Sequence, residues 1–391
     1  MTRAAEASID LDALAANLCQ VRRNAPGSRI VAVIKANGYG HGMTRVARAL
    51  HQADAFAVAS IDEALVLRGA GIDHPILLLE GFFDHDELAL IQQYRLSVVL
   101  HQEQQLQALE NLQQQNPGRQ QHAQEPIRVW LKIDTGMHRL GFRPELAASV
   151  YARLKQCPHV ASTITLMTHL ANADDRQDDT TARQAELFYK TEATIGSANE
   201  FHHSIANSAG ILAWPQTHFS EYQSWVRPGI MLYGVSPFIN STASEHDLQP
   251  VMTLRSCLIA IHQCRAGETI GYGGSWQCPE DMPVGIVAIG YGDGYPRAAA
   301  TGTPVLINGQ RAPLIGRVSM DMITVDLRQL PNAAIGDEVV LWGQGLPIEE
   351  VARHTGTIAY ELLCGVTARV RLLETGSLSG GSERDYQNKA C

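Results

Sequence analysis

The sequence predicts an α/β protein: a (β/α)8 barrel of the TIM type followed by a mostly-β C-terminal domain. Three observations point there. From residue 10 to about residue 235, apolar runs of strand length alternate with segments of helical spacing, as in a parallel sheet with crossover helices. Roughly eight such units fit into about 225 residues, which suits a closed barrel better than an open sheet. Past a Ser/Thr/Asn-rich break near Phe238–Asp247, short apolar segments are separated by Gly, Pro and Asn, an all-β pattern.

An early helix carries Leu14, Leu18 and Val21 on one face, with Asp12 as its cap. The eighth strand lacks a long following helix, so this early helix is expected to take that place in the outer ring. The strands are Ile30–Ile34, Ala55–Ala59, Ile76–Leu79, Leu96–Leu100, Ile127–Ile133, Thr163–Met167, Phe201–Ile205 and a run near Tyr222–Val226. Helical faces between them include Val46 with Leu50, then Leu88, Ile91 and Tyr94, then Leu106, Leu109 and Leu112. The glutamine-rich loop Gln113 to Glu125 reads as solvated and without a catalytic part. In the second domain, strands are expected at Leu258–Ile261, Val284–Ile289, Val305–Ile307, Met322–Val325 and Glu338–Trp342, with one helix from Pro347 to His354. The domains are therefore placed at residues 8–238 and 239–375, with 376–391 as a polar, flexible tail.

Composition narrows the function. The chain has 391 residues, 45 % of them hydrophobic, with a net charge of −9 and a pI of about 5.9. It has no Lys/Arg-rich run, so neither nucleic acid nor an anionic membrane is an expected partner. No segment approaches the roughly 20 apolar residues of a membrane span, and the amino end lacks a signal-like apolar stretch. The seven cysteines are scattered and never spaced Cys-x-x-Cys, so a cytoplasmic location is expected and no metal site.

The most informative segment is Ala32-Val33-Ile34-Lys35-Ala36-Asn37-Gly38-Tyr39-Gly40-His41-Gly42. A buried strand delivers Lys35 to its carboxyl end, and desolvation there favours a neutral amine, the form that attacks carbonyls. The following glycines let backbone curl round a small anion. Aldehyde plus phosphate describes pyridoxal 5'-phosphate (PLP); taken alone, Lys35 could equally be a snorkelling edge lysine. Other polar residues end other strands: Lys132 through Arg139 the fifth, Thr168-His169 the sixth, Asn207-Ser208 the seventh, and Arg227-Pro228-Gly229 the eighth. A parallel barrel gathers such residues on one rim. Ser208 can open a short helix whose free N–H groups favour an anion, or simply cap it. Gly229 and Ile230 add N–H groups, and Tyr39 a phenol.

The lysine segment closely resembles the PLP-lysine motif of the alanine racemase family, and five further segments agree with that family, in order, almost to residue 370. The resemblance implies a PLP-dependent racemase that interconverts L- and D-alanine by a two-base mechanism, as a homodimer with composite sites and a small amino acid as substrate. It implies Lys35 as one base and Tyr272, in Gly271-Tyr272-Gly273-Gly274, as the other, reaching the neighbouring subunit's cofactor; alone, Tyr272 reads as a turn residue. Tyr39, Ser208, Gly229, Ile230 and Tyr360 would hold the cofactor's phosphate, and Asn207 would also bind the cofactor. Arg227 would face the pyridine nitrogen where many PLP enzymes place a carboxylate; since arginine accepts no proton, the ring would withdraw fewer electrons, which suits racemisation. Otherwise Arg227 is a structural arginine in an ion pair. His169 would flank the cofactor and orient Arg227, and both are candidates for the positive charge that lowers the Tyr272 pKa. Arg139 would bind the substrate carboxylate and the cofactor's phenolic oxygen, supported by Lys132, a lysine often carbamylated in the family. Met320 and Asp321 would line the substrate site from the partner chain, and Tyr291 with Tyr360 would narrow its entrance. Ser319 stands where many members have cysteine. A broad-specificity or serine-preferring racemase, a decarboxylase of basic amino acids and a non-catalytic PLP-binding protein remain as alternatives.

Overall fold

The computed structural model describes residues 4–112, 125–196, 201–218 and 224–377. After β1 (Glu6–Asp10) and α1 (Leu11–Asn24) come eight parallel strands: β2 (Arg29–Val33), β3 (Ala55–Val58), β4 (Ile76–Leu78), β5 (Leu96–Leu100), β6 (Arg128–Lys132), β7 (Thr165–Met167), β8 (His202–Ser204) and β9 (Trp225–Val226). They lie side by side in sequence order. The ring closes where Arg29 and Ile30 meet Trp225 and Val226, and where a bridge joins His203 to Ser224. Helices cover its outside: α2 (Lys35–Tyr39) and α3 (Met43–Ala49) follow β2, and α4 (Ile61–Gly69), α5 (Glu87–Gln93), α6 (Glu103–Glu110), α7 (Pro144–Gln156), α8 (Thr180–Ile195) and α9 (Ser208–Ala213) follow the next six strands in turn. Covered on both faces, most of the strands are largely apolar; all five residues of β5 are buried.

No long helix follows β9, and α1 takes that place. It packs against α3 and the 3-10 turn Ile230–Tyr233. Its buried Asn17 donates to Leu232 O (3.0 Å) and Gln249 O (2.9 Å) and accepts from Gln249 N (2.8 Å). The cap, however, is Asp10 and not Asp12: Asp10 Oδ1 accepts from Ala13 N at 3.0 Å, because the chain stays extended through residue 10. Asp12, the second residue of the helix, accepts from Ser377.

The second unit is built from β10 (Met252–Cys264), β11 (Thr269–Ile270), β12 (Trp276–Gln277), β13 (Met282–Val287), β14 (Pro304–Ile307), β15 (Gln310–Ile315), β16 (Ile323–Asp326), β17 (Glu338–Trp342), α10 (Ile348–Thr355), α11 (Ala359–Gly365) and β18 (Arg371–Thr375). Antiparallel strands run in the order β13-β16-β15-β14-β17-β10, and β10 returns to pair with β13, closing a second ring. At 13 residues, β10 is long enough to pair with β17 through Cys257 and with β13 from Leu258 on, with a bulge between Leu258 and Ala260.

This unit also claims the start of the chain. Ala7 of β1 pairs with Leu254 of β10 on one side and Leu372 of β18 on the other. Residues 8–10, assigned to the barrel by the sequence pattern, therefore belong to the second sheet, where Ala7 and Ile9 are fully buried. No helix among the described residues is long and apolar enough to cross a membrane. Tyr222, most of the glutamine-rich loop (113–124) and residues 378–391 of the tail lie outside the described residues.

Candidate active site

The rim is formed by the strand ends. Lys35 follows β2 after one residue, Lys132 is the last residue of β6, His169 lies two beyond β7, and Arg227 directly follows β9. With Tyr39, Arg139, Asn207, Ser208, Gly229, Ile230 and, from α11 of the second unit, Tyr360, they line one cavity of about 920 Å³. Eleven residues proposed from the sequence are thus brought together.

The turn after Lys35 is unusual. Ala36, Asn37, Gly38 and Tyr39 all have φ between 50° and 63°, so α2 is a left-handed turn. Its hydrogen bonds run from Gly38 N to Ile34 O (2.8 Å) and from Gly40 N to Ala36 O (3.0 Å). The sequence pattern suggested that glycines would make this curl, yet three of its four residues carry side chains, at a cost on the order of 1–2 kcal/mol each. Glu63, from the first turn of α4, secures its beginning by accepting from Ala36 N (2.7 Å) and Ala59 N (2.8 Å). Its end delivers Tyr39, whose ring stacks on Tyr233 (centroids 4.6 Å). A Cβ built on Gly229 would lie 2.6 Å from the Tyr39 hydroxyl, so glycine is what lets the phenol reach this backbone.

Ser208 is the first residue of α9, but Asn207 is its cap, accepting from Gly210 N at 2.9 Å. The Ser208 hydroxyl is left to accept from Gly229 N (3.0 Å) and Met231 N (3.3 Å). The Ser208 and Tyr39 hydroxyls, each with an O–H left to donate, converge beside Gly229.

Arg227 is buried. It donates to Ser204 Oγ (2.5 Å), Thr168 O (2.6 Å) and Ile205 O (3.2 Å), and approaches His169 Nδ1 at 3.4 Å. All these partners are neutral, so the ion-pair alternative does not describe it. Burial lowers its pKa to about 10, which still leaves it charged at neutral pH. The His169 imidazole is held well below its usual range by burial, then by Arg227, Lys132, Arg139 and Lys35. His169 is therefore neutral and cannot supply the positive charge expected of it. Lys35 is only half-buried, less enclosed than a strand end against the core suggested. The enclosed amine is Lys132, which burial, followed by Arg227 and Arg139, pushes down to about 8.

Four predicted residues lie elsewhere. Tyr272, in the loop between β11 and β12, is 69 % exposed and lines no part of this chain's cavity. Tyr291, Met320 and Asp321 share an exposed face of the second unit: Tyr291 N donates to Ser319 O (3.1 Å), Gly292 N to Met320 O (2.8 Å), and Asp321 pairs with Arg369. Tyr291 and Tyr360 accordingly form no pair within one chain; the aromatic neighbour of Tyr360 here is Tyr39, at 6.1 Å. Sequence reasoning missed Ser204, Tyr233 and Glu63. The strand-end rule would have found Ser204, whereas Tyr233 and Glu63 gave no signal above an ordinary core aromatic and an ordinary first-turn acid.

Residues 9–237 match the family model "Alanine racemase, N-terminal domain", and residues 251–373 match "Alanine racemase, C-terminal domain". An alanine racemase of Nitrosococcus oceani is 52 % identical over 365 residues, 93 % of this chain and 98 % of that one. The crystal structure of biosynthetic alanine racemase from Pseudomonas aeruginosa superposes with a TM-score of 0.88 at 43 % identity, covering 96 % of this chain and all of the other. A Bartonella henselae alanine racemase structure with covalently bound pyridoxal phosphate has a TM-score of 0.82 at 29 % identity over 95 % of this chain and 99 % of that one. Both units match, in order and along nearly the full length, and the cavity stands where they join: the chain belongs to the alanine racemase family.

Proposed function

We propose that this protein racemises alanine with PLP as cofactor. The observation that carries the reading is a buried guanidinium, Arg227, with neutral partners only, facing the same cavity as Lys35. The residues fit the cofactor. The hydroxyls of Tyr39 and Ser208 suit a phosphate, and the tight approach at Gly229 leaves no room there for a side chain. When bound, PLP supplies an aldehyde that captures an amine and a ring that withdraws electrons from the α-carbon.

The protein's own groups do the rest. Arg227 accepts no proton, so beside a bound cofactor it would not keep a ring nitrogen protonated and would withhold the stronger electron withdrawal that decarboxylation uses. Arg139, exposed in the cavity, offers its donors to the substrate carboxylate. Lys132, partly neutral near pH 8, is suited to react with CO2, and a carbamate there would replace a repelling cation beside Arg139 with an anion. The Lys35 amine moves a proton at one face of the α-carbon. The partner subunit's Tyr272 holds the proton at the other face, its phenol helped by the charge of Arg227. A homodimer with composite sites follows, in which the barrel holds the cofactor and the β domain contributes Tyr272, Met320 and Asp321 across the interface.

The test is solvent-deuterium exchange with each alanine enantiomer. Tyr272→Phe should lose exchange from L-alanine by about 10²–10⁴-fold, with a smaller loss from D-alanine. Equal exchange by mutant and wild type would remove the two-base assignment, and faster turnover of serine or lysine than of alanine would favour a racemase of broader specificity.

A further inference from the structure

The motif that carries Lys35 and Tyr39 also contains His41, for which the proposed reaction has no use. His41 is fully buried. Its Nδ1 lies 3.0 Å from Gly38 O and 2.8 Å from Tyr39 O. Both partners are carbonyl oxygens, so this nitrogen must carry the proton. Nε2 has no hydrogen-bond partner, and the ring packs on Tyr233 (centroids 4.7 Å), the residue on which Tyr39 stacks. Burial lowers the pKa of His41 to about 4, so it keeps this neutral form at physiological pH.

The two carbonyls belong to the last residues of the left-handed turn. L-residues do not stay in that conformation unless their surroundings enforce it. Glu63 fastens the turn where it begins, and His41 where it ends. We infer that His41 is a positioning residue for cofactor binding: its Nδ1–H locks the left-handed turn and so aims the Tyr39 hydroxyl at the phosphate seat beside Gly229. The inference rests on the phosphate role proposed above for Tyr39.

The test compares PLP with pyridoxal, which lacks the phosphate, in binding titrations of the apoprotein. His41→Leu should raise the Kd for PLP about tenfold, the worth of one charge-assisted hydrogen bond, and that for pyridoxal less than threefold. His41→Asn, whose amide can donate from the Nδ1 position, should recover most of the loss. His41→Leu should add less than threefold in a Tyr39→Phe background. Equal weakening of both ligands by His41→Leu, or no weakening of either, overturns the inference while Tyr39→Phe still discriminates between them. If Tyr39→Phe itself does not discriminate, the phosphate reading falls and this inference with it. An independent check needs no variant: the imidazole 15N signals of His41 in the wild-type protein should report the Nδ1–H tautomer, and an Nε2–H tautomer overturns the assignment.

Discussion

A buried cation without a hydrogen-bonded carboxylate is costly, and this site has two, Arg227 and Lys132. Arg227 pays part of that cost through hydrogen bonds to Ser204, Thr168 and Ile205. Lys132 instead gives up proton affinity, its pKa falling from 10.5 to about 8. The sign of the consequence is fixed. Below pH 8 both the folded and unfolded chains hold the proton, and the folded state bears the full penalty. Between pH 8 and 10.5 the unfolded chain still holds the proton that the folded one has released, so stability rises with pH, by up to about 3 kcal/mol in all. Urea unfolding of wild type and Lys132→Met in CO2-free buffer should show the wild type gaining on the mutant across that window; a flat difference would mean that the amine is not buried as a cation. In bicarbonate the gain should shrink, with a carbamate carbon resonance that Lys132→Met lacks. Little of this was legible beforehand. Residue type and strand-end position located Lys35, Lys132, His169 and Arg227, because barrel topology gathers such residues whatever their chemistry. Their protonation states depend on packing depth and on one another, so His169 was read as a source of positive charge when it is neutral.

At the level of elements, the barrel strands were readable because strands buried on both faces are bounded apolar runs. Three of the strands that escaped notice break this rule. β15 contains Gln310, Arg311 and Pro313, β18 has no buried residue, and β1 is five residues whose partners lie about 250 and 365 positions away in sequence. The start of α1 turns on the same strand. Because β1 runs through Asp10, the helix begins one residue later and Asp10 becomes the cap, displacing Asp12 from the role its position suggested. Asp10→Ala should therefore cost about 1 kcal/mol in urea unfolding. Asp12→Ala, which removes the exposed bonds to Ser377, should cost less than Asp10→Ala. The reverse order would return the cap to Asp12. The left-handed turn of α2 is a different kind of miss: no propensity favours Ala36 or Tyr39 with positive φ, so only the surrounding lattice of Glu63, His41 and Tyr233 accounts for it.

For the molecule as a whole, the decisive fact is that the second unit faces two ways. Through α11 it sets Tyr360 into this chain's cavity, while its β11–β12 loop and the face bearing Tyr291, Met320 and Asp321 lie outside that cavity. An exposed tyrosine can serve as a base only where another surface closes over it, and the proposed surface is the barrel mouth of a second copy. Complementation tests this directly. Lys35→Ala removes the amine from its own barrel but can still lend Tyr272 to its partner; Tyr272→Phe retains the amine and lends nothing. Each homodimer should be inactive. Unfolded together in equal amounts and refolded, the two chains should pair at random, giving heterodimers in about half the dimers, each with one intact site of two. Activity should then return to about one quarter of the wild-type value per chain. If both bases of a site came from the same chain, no mixture could restore it, and the mixed sample would stay as inactive as its parts.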